Sequence, residues 1–467
     1  MKEDPKLKRK LSLWGLIAFG MVVIQPTAPM GIYGVVSNKA HGHVVTTILI
    51  AMVAMLFTAF SYGWMARRYP SAGSAYTYVS SETNSLLGFV VGWGLVLDYL
   101  LNPLICMAFC AKATENIIPH SSYYFWILVF AVLFTLINVL GIEVSARVNG
   151  FLCMALTAVV VIFLSAASLY VWHAAPHAAH YFRRPFYDPA TFNFSEVLGG
   201  TSIAALTYIG FDAVSTLSEE AKNPRRNIFI ATIVVCLITG ILSALEVYGA
   251  QLVWGSRPFG SSEVESAFAS LSRQAGGAPL FHLINISLLV ATIGSGMGSQ
   301  LAAGRILYSL GRTNALPASI FGVVEPKKNI PRRGIMIVGL VACAGAALLE
   351  LCGPALGGGG AYAIGAEMLN FGAFLAFMGV NVACFLHYWR RSSGRLGLQT
   401  VISAVGFIIC AYIWFHLSSM ATRLGIIWML LGLGYRLLRV RSLGSEVFQF
   451  DRDAEGARYF KPESKRE

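Results

Sequence analysis

Charge is the first thing this chain lacks. Only 12% of its 467 residues are Asp, Glu, Lys or Arg, about half the share found in ordinary soluble domains. A soluble chain this long divides into two to four domains, each needing a charged surface, and too little charge is present to clothe them. Cysteine pairing is missing as well. Cys106, Cys110, Cys153, Cys236, Cys343, Cys352, Cys384 and Cys410 lie in apolar runs or at their ends, with no CxxC spacing. They read as packing residues, which excludes a disulfide scaffold. What is abundant is apolar surface: 56% of the residues are hydrophobic and the mean hydropathy is +0.64. Val44 to Met65, Trp126 to Gly141 and Phe151 to Trp172 hold no charged residue. Each approaches the roughly 20 apolar residues that cross a hydrocarbon core as a helix. A disordered chain and a soluble enzyme are excluded, and the fold class expected is an all-α polytopic membrane protein.

Twelve spans are expected, starting near Leu13, Val44, Leu86, Tyr124, Arg147, Val197, Ile228, Pro279, Gly334, Ala363, Leu398 and Met420. The net charge of +12 and pI of about 9.3 come from basic residues in the short connections. With the N-terminus inside, only Lys39, Lys112, Arg183, Arg184, Arg257, Arg273 and Arg423 of the 35 basic residues fall outside. The positive-inside rule therefore predicts a multi-pass protein of the cytoplasmic membrane with both termini cytoplasmic. No basic stripe with interleaved aromatics is present, so the lipid bilayer and not nucleic acid is the expected partner. The first apolar run follows a Lys-rich start and continues into a span without an A-x-A-like site, so no cleavable signal peptide is read.

Two spans are interrupted. The first contains Gln25-Pro26-Thr27-Ala28-Pro29-Met30-Gly31, where two prolines and a glycine break the hydrogen-bond ladder. The sixth contains Tyr208-Ile209-Gly210-Phe211-Asp212, a glycine and an acid at mid-span depth. If spans one to five and six to ten are two copies of one unit, these breaks correspond. Paired interruptions in corresponding spans point to an inverted-repeat secondary transporter with its site at the midplane. The expected layout is an N-terminal tail (1–12), a first five-helix repeat (13–195), a second (196–392), two further helices (393–441) and a cytoplasmic tail (442–467).

Several blocks in this order resemble the amino acid–polyamine–organocation superfamily of transporters. They are Pro70-Ser71-Ala72-Gly73-Ser74-Ala75-Tyr76-Thr77-Tyr78, Gly92-Trp93 with Leu97-Asp98-Tyr99, and Gly210-Phe211-Asp212 leading to Ser218-Glu219-Glu220 and Asn223-Pro224-Arg225-Arg226. Arg305-Ile306-Leu307-Tyr308 with Gly311-Arg312 and Leu316-Pro317 follows. Among the branches, bacterial putrescine importers are the most similar, through Asn370-Phe371-Gly372-Ala373 and His387-Tyr388-Trp389-Arg390-Arg391. The resemblance implies a five-plus-five inverted-repeat core with the last two spans outside it. Two departures stand out. Some proton-coupled members carry a lysine in span five, where this chain has Leu156 among apolar neighbours. Putrescine importers carry an acid in the broken first span, where this chain has Gly31, Ile32 and Tyr33, which turns the expectation toward amino acids.

A broken helix offers unpaired N–H groups at one half-helix start and unpaired C=O groups at the other half's end. An amino acid zwitterion needs both. The expected substrate lining is therefore Ala28, Pro29, Met30, Gly31, Ile32 and Tyr33 with Tyr208, Ile209, Gly210, Phe211 and Asp212. Met30, Tyr33, Tyr208 and Phe211 would shape the side-chain pocket. Ionisable residues inside spans are costly and default to function. Asp212 leads as cation contact or proton carrier, and Asp98, beside Asn102 and Pro103, is second. Glu246 lies in span seven, and Glu115, Glu350 and Glu367 lie near outer ends. Glu219 and Glu220, one turn before Lys222, Arg225 and Arg226, read as an inner-gate ion-pair cluster. Proton coupling is expected from the resemblance. Sodium is the other candidate, through Thr292, Ser295 and Ser299 facing span-one carbonyls as hydroxyls do in related folds.

No cofactor or metal set is read. His173, His177 and His180 are interrupted by Pro176 and lack a Cys or acid to complete a zinc site; His41 and His43 read likewise as loop residues. Gly357 to Gly360 lacks the Lys-Ser/Thr of a phosphate loop. The reading is thus a secondary active transporter importing an amino acid or related amine by alternating access, with a putrescine importer or an amino acid exchanger as alternatives. A membrane-embedded enzyme would need a base at depth beside Ser295, and only His387 and His416, both at span ends, offer one.

Overall fold

The computed structural model describes residues 7–118, 120–174, 180–255, 257–260, 263–326, 328–352, 360–392, 394–417 and 419–443. His177, Gly357 to Gly359 and the tail beyond Leu443 lie outside the described residues, and so does the side chain of Glu367. Described residues form helices and turns, with isolated bridges as the only strand-like pairing.

The helices are α1 Leu13–Ile24, α2 Ala28–Lys39, α3 Val44–Arg68, α4 Ala75–Glu82, α5 Ser85–Ile117, α6 Tyr123–Val139, α7 Ile142–Ala174 and α8 Phe194–Ala204. There follow α9 Ala213–Thr216, α10 Pro224–Trp254, α11 Ala267–Arg312, α12 Ala318–Phe321, α13 Arg332–Cys352, α14 Gly360–Arg391, α15 Leu398–Phe415 and α16 Ser419–Leu443. Ten segments among the described residues are long and apolar enough to cross a bilayer. Taken as one span, α1 and α2, bent by 42° at their break, make an eleventh. The apolar α6, 17 residues long, stands where the fourth span was expected. α11 is two helices run together across Gly276 and Gly277 (φ 69°), just before Pro279, which is where span eight was expected to start.

Apolar periodicity explains the layering. α5 is the most enclosed span, packed against α4, α6, α11, α13 and α14. α15 and α16 lie toward the rim. α16 is fastened to α5 by a reciprocal indole pair: Trp93 Nε1 donates to the Trp428 carbonyl at 2.9 Å and Trp428 Nε1 to the Trp93 carbonyl at 3.0 Å. Their rings stack at 4.9 Å. The first and last described segments each dock beside the turns that follow span six and α11. The N–H groups of Lys10 and Leu11 donate to the Glu220 carbonyl, and the N–H of Lys222 donates back to the Leu11 carbonyl. Late in α16, Arg439 donates to the carbonyl of Asn314, just beyond α11.

Candidate functional site

The span-one break follows from its sequence. Gln25 takes φ 75°, its N–H closing α1 on the Met21 carbonyl, and Pro29 occupies the first turn of α2. The Thr27 side chain is fully buried, and its Oγ1 has no hydrogen-bond partner among the described residues. Met30 is buried while Ala28 and Ile32 are half-buried. Gly31 is exposed, and a Cβ there would meet nothing within 4 Å. Tyr33 points away into the core: its hydroxyl donates to Gln251 Oε1 at 2.9 Å, and its ring meets Phe259 and Phe268 edge-on.

In span six, α8 tightens into a 3-10 turn over Ala205–Tyr208 and then breaks. Gly210 adopts φ +116°, a conformation open to glycine. A Cβ on it would stand 2.9 Å from Val23 Cγ1 and 3.3 Å from Ile24 Cγ1. The second break is therefore pressed against the end of α1, and the two interruptions meet. Tyr208 is buried with its hydroxyl donating to the Ile48 carbonyl at 2.9 Å. Ile209 is half-buried. The Phe211 ring is enclosed by Tyr62 at 5.6 Å and Phe377 at 5.2 Å.

Asp212, fully buried, caps this arrangement. Its Oδ2 accepts from the Tyr99 hydroxyl at 2.8 Å, and its Oδ1 has no partner among the described residues. Asp98, one residue before Tyr99 on α5, is buried with its Oδ2 likewise unpartnered. The two carboxyls are within electrostatic reach of one another and of Tyr62. α5 and α14 cross closely here, since a Cβ on Gly372 would lie 2.4 Å from the Gly94 carbonyl oxygen and 3.1 Å from the Asp98 nitrogen. The structure thus brings Asp98, Asp212 and the span-six break together, while Tyr33 is directed elsewhere.

Hydroxyls of span eight reach span one in one place. Ser295 Oγ donates to the Val23 carbonyl at 2.6 Å. Thr292 turns back to the Leu288 carbonyl, and Ser299 Oγ is buried without a partner among the described residues.

Beside these docking contacts, ion pairs tie the turn after span six to α11. Glu219 accepts from Arg312 and from the backbone N–H of Ala72 at 3.0 Å. Glu220 accepts from Arg305 Nε at 2.7 Å and from its Nη2, with both side chains essentially inaccessible. Arg225, expected in this cluster, is exposed, and the cations that pair with the two glutamates come from α11 instead. Ser74 and Ser215 share a hydrogen bond at 2.5 Å, and Ser215 Oγ donates to the Asp212 carbonyl at 2.6 Å. The segment before α4 is therefore linked to the span-six break. Beside it, Glu82 accepts from Tyr69 at 2.7 Å and His387 at 2.5 Å, with Arg390 donating to its carbonyl. Burial raises the Glu82 carboxyl, but the hydrogen bonds from His387 and Tyr69 outweigh it and hold the group below its ordinary value of 4.5. The block Pro70 to Tyr78, which carries part of the resemblance, leads into α4 and supplies the Ala72 and Ser74 contacts.

Three of the histidines discussed above have side-chain partners. His43 binds the Ala40 carbonyl and the Asp188 N–H, and His41 pairs with Glu196. His173 binds the Leu169 carbonyl.

Comparison with known proteins matches this architecture. A family model described as amino acid permease matches residues 17–441. The low-affinity putrescine importer PlaP of Escherichia coli K12 is 28% identical over 96% of this chain and 97% of its own. The branched-chain amino acid permease BcaP of Bacillus subtilis is 23% identical over 92% of each chain. Among solved structures, a manganese transporter mutant from Eremococcus coleocola shares the fold, with a TM-score of 0.55 at 11% identity over 94% of each chain.

Proposed function

The chain belongs to the amino acid permease family, and from that premise we propose that it imports an amino acid or related amine by alternating access around the two breaks. It is a multi-pass membrane transporter and not an enzyme. The observation that carries the proposal is the contact of Gly210 with Val23 and Ile24, which puts both half-helix ends in one place. There they offer N–H groups to an anion and carbonyls to a cation. The five-plus-five inverted repeat, the cytoplasmic membrane as location and both termini on the cytoplasmic side belong to the same reading. It is supported by the docking of the first and last described segments beside the turns after span six and α11 and by the basic connections.

The coupling ion in this reading is the proton. Asp212 and Asp98 each hold a buried carboxyl oxygen without a partner among the described residues, beside the break. Sodium is the weaker candidate: of the three hydroxyls expected to face span one, Ser295 reaches the Val23 carbonyl, while Thr292 turns back to the Leu288 carbonyl of its own helix.

A second reading, a putrescine or polyamine importer, is favoured by these acids and by the likeness to PlaP. The test is thermal stabilisation of the detergent-purified protein across α-amino acids, diamines and polyamines. A ligand at 100 times its dissociation constant adds about 2.7 kcal/mol to the folded state. A shift with α-amino acids alone supports the zwitterion site and retires the diamine reading. A shift with no member of the panel overturns the proposal.

A further inference from the structure

Glu246 on α10 is fully buried, and neither carboxyl oxygen has a hydrogen-bond partner among the described residues. Two contacts fix its level. Thr239 Oγ1 donates to Met21 Sδ at 3.4 Å, and Gln251 Oε1 accepts from Tyr33 at 2.9 Å. The intervals Thr239 to Gln251 and Met21 to Tyr33 are equal in length and run in the same direction. Glu246 is as far along its interval as Ala28 is along its own, and Ala28 is the first residue of α2. Glu246 therefore lies level with the break in span one.

Its direction follows from the helical repeat. Thr239, Ser243, Glu246 and Ala250 form one stripe of α10. Val235, at the start of that stripe, is 2.8 Å from the place of a Cβ on Gly20 in α1. Gly249, on the flank, meets Leu164 and Phe163 of α7. The stripe carrying Glu246 thus faces span one, where Thr27 Oγ1, at nearly the same level, is buried and unpartnered too.

A carboxylate in the bundle interior is costly without a partner, and an ammonium beside it removes that cost. An α-amino acid would place its carboxylate at the start of α2, beside a carboxyl that ionises only against a cation. A linear diamine would instead present a second ammonium there.

We propose that Glu246 supplies from span seven the acid that the first break lacks, and that the substrate is a linear α,ω-diamine with one ammonium at Glu246 and the other on the Asp212 side. This rests on the two breaks being the substrate site.

The test is binding of putrescine, cadaverine and 1-aminobutane to the full-length purified protein, by thermal shift and calorimetry. Wild type is expected to bind putrescine at least tenfold more tightly than 1-aminobutane, and Glu246→Gln to lose that ratio while still binding the monoamine. Glu246→Asp, which draws the carboxyl back by one methylene, is expected to shift preference from putrescine toward cadaverine, and it serves if the glutamine variant does not fold. A folded Glu246→Gln with wild-type putrescine affinity, or an aspartate variant with unchanged preference, overturns the inference. Wild type that binds α-amino acids but no diamine overturns it while leaving the transport reading in place. Wild type that binds neither overturns both.

Discussion

Arg305 lies wholly inside the protein with its guanidinium on the carboxylate of Glu220, joining α11 to the turn that follows span six. The same guanidinium donates to the Leu301 carbonyl one turn back on its own helix. A buried pair of this kind contributes little net stability relative to an apolar pair, yet is costly to break on one side. Through the Ser215 hydrogen bond to Asp212, its neighbourhood also meets the span-six break.

Glu220→Ala is therefore expected to lower stability by about 3–5 kcal/mol, because it leaves a buried guanidinium unpaired. The double variant Glu220→Leu with Arg305→Met is expected to recover most of the loss. Melting of the purified variants in detergent checks this, and a single variant as stable as wild type would contradict the pairing.

The two break glycines are expected to behave differently. Gly210→Ala forces a side chain into positive φ and against Val23, a strain of order 1–3 kcal/mol at the point where the breaks meet. Uptake into proteoliposomes should fall sharply. Gly31→Ala meets open space and should leave folding intact, affecting uptake only if the added methyl intrudes on bound substrate. Equal tolerance at both positions would argue against the packed contact.

Asp212→Asn is expected to abolish the dependence of uptake on a proton gradient, with Tyr99→Phe, which removes the hydroxyl that donates to Oδ2, shifting the pH profile without abolishing transport. Asp98→Asn should give the weaker effect. If uptake and its pH dependence are unchanged in Asp212→Asn, that residue is neither proton carrier nor cation contact.

Glu82 gives a stability prediction with a definite sign. Its folded carboxyl lies below the ordinary 4.5, so its contribution is present above that pH and is lost as the pH falls through the lowered folded value. Melting temperature followed from pH 6 downward should drop less steeply in Glu82→Gln than in wild type. Parallel curves would remove Glu82 from the account.

The spans were legible because apolar runs of membrane length have few other uses. The expected starts at Tyr124, Leu398 and Met420 fall within one residue of helix starts. The breaks were legible because proline and glycine interrupt a ladder wherever they stand. Other features needed the fold. α4 is short and polar, without the apolar repeat that marks a span. The partners of Glu219 and Glu220 are 93 and 85 residues away in sequence, so spacing alone favoured the adjacent but exposed Arg225. Tyr33 stands beside the break in sequence, yet the direction of its turn of α2 sends it to Gln251. Which way a helix faces is set by packing partners, and the meaning of Glu246 depends on that register.

The reciprocal indole pair of Trp93 and Trp428 has a spectroscopic consequence. Two tryptophan rings stacked at 4.9 Å and only 16° apart couple their excited states and quench one another's emission. Separating α16 from α5 would release that coupling, so near-ultraviolet circular dichroism and intrinsic fluorescence report on the docking of the last helix without any added label. Trp428→Phe provides the blank against which the signal is read.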